Sequence, residues 1–221
     1  MPTTANDVHE PITVVLVDDH PLFHAGLRQL LEADGIEIVG EASSAEGGVG
    51  LVERHAPDVA IVDPAMPGAF RIDAIRRMAA SGRRTHVLAL ASPAPEDDVV
   101  AVVLEGGSCY LLKEAPPETI LAGVRAAAQG DAMISPQIAG ALVHRLRANG
   151  LPEGPEPGAV LSEREKQVLR LVVDGKENDE IARELFISRH TVKNHISSIL
   201  LKLRVSNRIQ AAVCAVRAAI V

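Results

Sequence analysis

Aromatic residues are nearly absent from this 221-residue chain, which has no tryptophan, one tyrosine and three phenylalanines. Its cores must therefore be built from Ala, Val, Leu and Ile, which the 47% hydrophobic fraction supplies beside 23% charged residues, a globular balance. Cysteine is scarce too. Cys109 lies in an apolar run and Cys214 in an alanine-rich stretch, far apart and without metal-ligand spacing. That excludes a disulfide framework and leaves two free thiols, expected to be buried, in a reducing compartment. The first eleven residues, MPTTANDVHEP, contain no apolar stretch that could act as a signal or a membrane span, so a cytoplasmic location without membrane contact is expected. Two absences concern charge. Lys113 is the only lysine before position 161, and no acidic residue follows Glu184.

The length calls for two domains. From Ile12 to Gln129 short apolar runs alternate with helical patterns: ITVVLV with Pro21 to Ala33, IEIVGE with Ala45 to His55, VAIV with Ile72 to Ala80, HVLALA with Glu96 to Glu105, and CYLL with Pro117 to Gln129. Near-continuous apolar strands joined by helical crossovers predict a five-stranded parallel sheet with helices on both faces. Ser135 to Arg147 is a further helical stretch. GLPEGPEPG, Gly150 to Gly158, reads as a linker, because its prolines and glycines neither continue a helix nor pack. The expected division is a disordered tail over 1–11, an α/β domain over 12–130, a linker helix and flexible linker over 131–160, and a small all-α domain over 161–221.

The last of these reads as a helix-turn-helix. Ser162 and Glu165 form a capping box before an amphipathic helix carrying Val168, Leu169, Leu171 and Val172, which Gly175 closes. Asn178 is placed as the N-cap of a short helix and Ser188 as the N-cap of the next, with Phe186 and Ile187 in the turn between them. In that third helix Val192, Ile196, Ile199, Leu200 and Leu203 must face inward, which turns Lys193, Asn194 and Ser197 to the other side. Polar side chains near the N-terminal end of such a helix reach base edges in a major groove. Charge agrees. From Leu161 onward there are 11 Lys and Arg against 7 Asp and Glu, or +4, which leaves 11 against 22, or −11, for the residues before it. The basic half is suited to double-stranded DNA, while the −7 of the whole chain hides it.

The stretch LSEREKQVLRLVVDGKENDEIARELFISRHTVKNHISSILLKL resembles the LuxR-type helix-turn-helix nearly end to end. The resemblance implies base contacts by Lys193, Asn194 and Ser197 and phosphate contacts by Thr191, Lys202 and Arg208. Glu177 departs from the family, which usually carries a small polar residue there, and an acid beside DNA weakens binding unless it points away.

In the α/β half the working residues should lie in the crevice beyond the carboxyl ends of the strands. Those ends carry Asp18 and Asp19 after ITVVLV, Asp63 after VAIV and Lys113 after CYLL. Three carboxylates there repel one another unless a cation joins them, and Mg2+ with its preference for hard oxygen ligands is the natural choice. A single ammonium completes the balance and can pair with a phosphoryl group on one carboxylate.

VDDHPLF, VDPAMPG and CYLLK, in that order, are similar to the receiver domain of two-component response regulators, and with the C-terminal match the chain resembles the NarL/FixJ subfamily. The resemblance implies a flavodoxin-like fold and a sensor histidine kinase as partner, with Asp63 as phosphoacceptor. It implies Mg2+ held by Asp19, Asp63 and the Ala65 carbonyl with Asp18 assisting, Lys113 on a phosphoryl oxygen, and Tyr110 as an aromatic that turns inward on activation. The chain departs from the family at the end of the fourth strand, where Ala91 stands in place of Thr or Ser and Ser92 follows one step on. Ser92 can replace the hydroxyl only if the strand has broken there. Further departures are Pro64 after the acceptor, Ala69, Phe70 and Arg71 after MPG, and Pro93 and Pro95 in the next loop.

Two readings stay open: a DNA-binding regulator controlled by phosphorylation of Asp63, and an atypical one controlled by partner, ligand or abundance. An Asp-nucleophile phosphatase would resemble its family in a second carboxylate two residues after the nucleophile. That position is Ala65, so the chain is not expected to be an enzyme. The terminal stretch RIQAAVCAVRAAIV carries a small-residue apolar stripe that could pack on its own domain or on a twin in a homodimer.

Overall fold

The computed structural model describes residues 11–67, 71–81, 85–134, 161–217 and 220. The expected linker helix Ser135 to Arg147, the linker Gly150 to Gly158, positions 69 and 70, and most of the expected tail lie outside them. Five parallel strands, β1 (Thr13–Val17), β2 (Glu37–Ala42), β3 (Val59–Val62), β4 (His86–Ala91) and β5 (Gly107–Leu112), stand in the order β2-β1-β3-β4-β5. They alternate with α1 (Pro21–Ala33), α2 (Ala45–His55), α3 (Arg71–Ala80), α4 (Glu96–Leu104) and α5 (Pro117–Ala128).

Alternation along the strands divides the core in two. Val15, Val17, Val62, Val87, Ala89 and Tyr110 pack with Val49 and Val52 of α2, Ile75 and Met78 of α3, and Val99 and Val102 of α4. Val14, Leu16, Ile61, Leu88, Leu90 and Leu111 pack on the other face with Leu27 and Leu31 of α1 and Ile120 and Val124 of α5. Both faces are thus covered, which is why VAIV and HVLALA are apolar without a polar alternation. Each core contains mostly aliphatic side chains, as the shortage of aromatics requires.

Beyond the linker come α6 (Glu163–Val173), α7 (Asn178–Leu185), α8 (Arg189–Leu203) and α9 (Arg208–Arg217), enclosing a core of Val168, Leu169, Ile181, Val192, Ile196, Ile199 and Ala215, among others. The start signals hold at two of three helices. Ser162 and Glu165 make the reciprocal capping box of α6, and the Ser188 hydroxyl accepts from the Thr191 N–H at α8. Gly175 closes α6 with φ of 77°, a left-handed backbone that glycine adopts without strain. The N-cap of α7 is a correction: Glu177 takes it, donating its backbone N–H to the Glu180 carboxylate, while Asn178 is the first helical residue and is buried. Phe186 ends α7 with φ of 53° and is 94% exposed. Among the described residues no helix is long and apolar enough to cross a membrane.

Candidate functional site

The carboxyl ends of β1, β3 and β5 bring Asp18, Asp19, Asp63 and Lys113 together. Asp63 is 2% exposed, which would be costly for a lone carboxylate. Its Oδ1 accepts the Ala65 N–H at 2.7 Å and its Oδ2 accepts from Lys113 Nζ at 2.7 Å. Lys113 Nζ also meets Asp18 Oδ2 at 2.6 Å and lies 4.5 Å from the centre of the Phe23 ring. Burial pushes the Lys113 pKa down, but hydrogen bonds and attraction from Asp18 and Asp63 outweigh it, so the net direction is upward and the ammonium persists. One residue here was missed by sequence reasoning. His20 Nδ1 lies 3.3 Å from Asp18, 3.1 Å from Asp19 and 3.7 Å from Asp63, although the side chain is 66% exposed. Its place directly after the two aspartates was the available signal.

A divalent metal ion fits this cluster. Single ligand atoms of Asp18, Asp19, His20 and Asp63 lie within 4.8 Å of one another, and among the described residues the buried Asp19 Oδ1 has only the His20 ring nitrogen beside it and accepts no hydrogen bond of good geometry. Hard oxygen donors with an unsatisfied lone pair are the donor set for Mg2+.

The switch residues are arranged differently from expectation. Tyr110, expected to turn inward on activation, is already 3% exposed and packed with Ala89 and Ala91, its buried hydroxyl without a hydrogen-bond partner among the described residues. Burial first, then the charges of Asp63 and Asp98, raises its pKa. β4 ends at Ala91, and Ser92 lies just past it, exposed to solvent.

The helix-turn-helix residues are only partly free. Asn194 is exposed, and Thr191 Oγ1 sits 2.8 Å from Ser188 Oγ. Lys193 donates from Nζ to the Ala128 carbonyl at the C-terminal end of α5 at 2.7 Å, and Ser197 lines the cleft beside it. In this arrangement Lys193 and Ser197 of α8 are turned onto the α/β domain, at the end of the sheet opposite the acidic cluster. Two expected phosphate contacts have internal partners in this arrangement. Lys202 binds both oxygens of Glu165 at 2.6 and 2.8 Å, and Ser198 joins them at 2.6 Å. Burial would raise the Glu165 pKa, but the hydrogen bonds from Lys202, Ser198 and Ser162 hold it at about 2. Arg208 is buried, with Nη1 on Asp131 Oδ1 at 2.6 Å and Nη2 on the Lys176 carbonyl at 2.5 Å. An arginine committed to an internal carboxylate is not exposed to a phosphate.

Asp131 is the centre of the contact between the two halves. It also accepts the Asn178 N–H at 3.3 Å and faces Arg189 at 3.7 Å, while Asn178 Nδ2 donates to the Gln129 carbonyl at 2.8 Å. A second group holds the end of α4: Asn207 Nδ2 donates to the Val103 and Gly107 carbonyls, and Gln210 Nε2 to the Leu104 carbonyl. Gly106, φ of 122°, lets the turn between α4 and β5 pack closely on α3 within the receiver, since a Cβ there would lie 2.6 Å from Ala79 Cβ. The interdomain roles of Asp131, Asn178 and Asn207 were not identified from sequence; their partners are too distant for any local pattern to show them.

Comparisons with known proteins agree with this geometry. The family model described as "Response regulator receiver domain" matches residues 14–125, and that described as "Bacterial regulatory proteins, luxR family" matches residues 159–215. The transcriptional regulatory protein LiaR of Bacillus subtilis (strain 168) is 40% identical over 207 residues, covering 93% of this chain and 97% of the relative. The nitrate/nitrite response regulator protein NarL of Escherichia coli (strain K12) is 36% identical over 208 residues, covering 92% and 94%. Among solved structures, the response regulator ChrA of a heme-sensing two-component system is similar with a TM-score of 0.51 at 35% identity, covering 96% of this chain and 99% of that one.

Proposed function

The chain belongs to the two-component response regulators of the NarL/FixJ type, with a receiver domain and a LuxR-type DNA-binding domain, and from that premise we propose how its own residues work. It is a cytoplasmic, non-enzymatic regulator of double-stranded DNA sites. The receiver runs over 12–130, the linker over 131–160 and the DNA reader over 161–221. Asp63 is the phosphoacceptor, receiving a phosphoryl group from a sensor histidine kinase. Asp18, Asp19, Asp63 and the Ala65 carbonyl would hold Mg2+, which supplies positive charge for the phosphoryl oxygens when bound. Lys113, held by Asp18 and the Phe23 ring, is paired with Asp63 and is placed to follow a phosphoryl oxygen. Lys193, Asn194 and Ser197 read bases and Thr191 contacts the backbone, while Lys202 and Arg208 contribute only when released from Glu165 and Asp131. The terminal helix α9 leaves Val216 64% exposed, an apolar position open to a second copy.

The observation that carries this reading is the joint placement of a buried, lysine-paired Asp63 at one end of the receiver and of Lys193 against the other end. DNA binding is tested with Lys193→Ala, expected to cost roughly 1–3 kcal/mol on a cognate site and less on random DNA. Equal losses on both would remove the base-reading role. Metal binding is tested by thermal shift: Mg2+ stabilises the native chain, and Asp63→Asn loses most of that response. An unchanged response places the ion elsewhere.

Control by phosphorylation is weakened by Ala91. A hydroxyl there would hydrogen-bond a phosphoryl oxygen, a charge-assisted bond worth about 1.5–3 kcal/mol, and Tyr110 already fills the inward position. Beryllofluoride or phosphorylation is therefore expected to shift DNA affinity by less than about tenfold, or about 1.4 kcal/mol. Ala91→Thr increases the shift. Anisotropy on both variants, with phosphoryl occupancy by intact mass, checks it. A large shift in the native chain that Ala91→Thr leaves untouched means another group does the hydroxyl's work. The atypical reading, control by partner, ligand or abundance, is favoured by the same two residues.

A further inference from the structure

The function proposed above gives no role to His20, although its ring faces all three carboxylates of the acidic cluster. Nδ1 lies 3.1 Å from Asp19 Oδ1, 3.3 Å from Asp18 Oδ1 and 3.7 Å from Asp63 Oδ2. The local backbone puts it there. His20 precedes Pro21 and is held extended, with φ of −95° and ψ of 101°, as a residue before proline prefers. It is the N-cap residue of α1, yet its side chain caps nothing, and its own N–H donates to Asp18 Oδ1 at 2.7 Å. The ring is left to the cluster, and the turn that carries it is held by the main chain. Charge matches a divalent ion. Asp18, Asp19 and Asp63 carry −3, and Lys113, which bonds Oδ2 of both Asp18 and Asp63, returns +1, so the balance beside a neutral imidazole is −2. On the flank Arg28 and Glu41 pair with each other, and His24 faces the same Glu41. Spacing matches too. Donor atoms bound to one ion at about 2.1 Å stand about 3.0–3.4 Å apart, and His20 Nδ1 already keeps that distance from Asp18 and Asp19.

We propose that His20 is a ligand of the ion held at this site, and that three carboxylates with one imidazole select a borderline transition ion, represented by Zn2+, over Mg2+. Mg2+ takes hard oxygen ligands and keeps its water, whereas imidazole suits Zn2+ and its neighbours in the first transition row. Ligation uses the Nδ1 lone pair, so the ring is neutral and its remaining proton sits on Nε2. Asp18 Oδ1 accepts one N–H and has a second lone pair for the ion, and Asp19 Oδ1 has only the ring nitrogen beside it. The ring is 66% exposed, so an ion reaches it from solvent and its removal leaves the receiver core intact. The proposal rests on the metal-binding reading above and adds a ligand to it; the role of Asp63 as phosphoacceptor is not needed.

Isothermal titration of the full chain with Zn2+ and, separately, with Mg2+ tests it on the native protein, His20→Ala and Asp63→Asn, with circular dichroism melts confirming that each variant folds. Oxygen sites also favour Zn2+ over Mg2+ to some degree, so the deciding quantity is how the ratio of the two affinities changes on substitution. His20→Ala is expected to weaken Zn2+ by at least about tenfold and Mg2+ by less than about threefold, while Asp63→Asn weakens both. Nitrogen-15 spectra of histidine-labelled protein give a direct signature. Zn2+ moves the Nδ1 resonance of one histidine and fixes its proton on Nε2, and that histidine is the one missing from His20→Ala. Equal loss of Zn2+ and Mg2+ in His20→Ala would mean that the ring only shapes the carboxylates. Native Zn2+ affinity in that variant, or Zn2+ at other histidines with the His20 resonances unmoved, would leave the ring an ion-pair partner. Each of these results overturns the ligand role, and the metal-binding reading survives them as long as Asp63→Asn weakens Mg2+. A native chain that binds neither ion overturns both.

Discussion

Asp131→Ala raises the DNA affinity of the unphosphorylated full chain by at least about tenfold. Asp131 and Arg208 are both buried at the contact between the domains, and removing one partner of such a pair typically costs about 3–5 kcal/mol because the other charge is left uncompensated. Here that cost can be relieved by separation, since Arg208 regains water when the domains part. Part of the penalty therefore becomes a shift of population toward the open form. The native pair is itself poised. Burial raises the Asp131 pKa in spite of Arg208, Asn178 and Arg189, and burial lowers that of Arg208 in spite of Asp131. Neither group recovers in the contact all that it loses in hydration. DNA anisotropy on the native chain and Asp131→Ala measures the effect, with Asp34→Ala as control. The Asp34 pair with Arg125 is a surface contact within the receiver and should change DNA affinity little. Equal affinity for all three proteins would mean that the ion pair does not hold the reader closed.

Glu165→Gln is expected to lower the stability of the DNA-binding domain by roughly 2–3 kcal/mol at neutral pH. Its carboxylate sits at about 2 rather than the ordinary 4.5 because Lys202, Ser198 and Ser162 outweigh the cost of burial. A depressed carboxyl contributes stability above its unfolded value, and that contribution is lost as pH falls from near 4.5 through the folded value near 2. The difference between native chain and variant, followed by urea unfolding, should therefore be full at neutral pH and shrink steadily below about pH 4.5. A difference that is the same at both ends of that range would assign the loss to packing or to the helix cap instead of the charge. Since Glu165 ties α6 to α8 through Lys202, the variant also tests whether the reader's pose depends on that carboxylate.

The course of the chain through the sheet was legible because its signals are local and repeated. VAIV and HVLALA became β3 and β4 without a change of boundary, α1 and α2 run as their apolar spacing required, and Ser162 and Ser188 cap the helices they precede. The acidic cluster was legible because sheet topology brings successive strand ends to one rim. What was not legible was whatever depends on a distant partner. Lys202 and Arg208 look like exposed cations in their own helices, but their carboxylates lie 37 and 77 positions away. Asn178 looks like a cap because capping asparagines and interface asparagines share one side chain, and only that side chain's partner, the Gln129 carbonyl or a free helix N–H, distinguishes them. Tyr110 is buried in a cluster that includes Ala89 and Ala91, a matter of volume that periodicity does not encode.

The same tyrosine has a practical use. With no tryptophan in the chain and a single tyrosine, all intrinsic emission beyond the weak contribution of phenylalanine comes from Tyr110. Its phenol is enclosed, lacks a hydrogen-bond partner among the described residues and lies within the electrostatic reach of Asp63. Quantum yield and lifetime of a phenol respond to proton acceptors and to nearby charge, so a phosphoryl group on Asp63, as proposed above, is expected to change the ultraviolet emission of the native chain. The receiver's response can then be timed in a stopped-flow mixer without a dye, a label or a substitution, and set beside the anisotropy of the DNA to see whether the two move together.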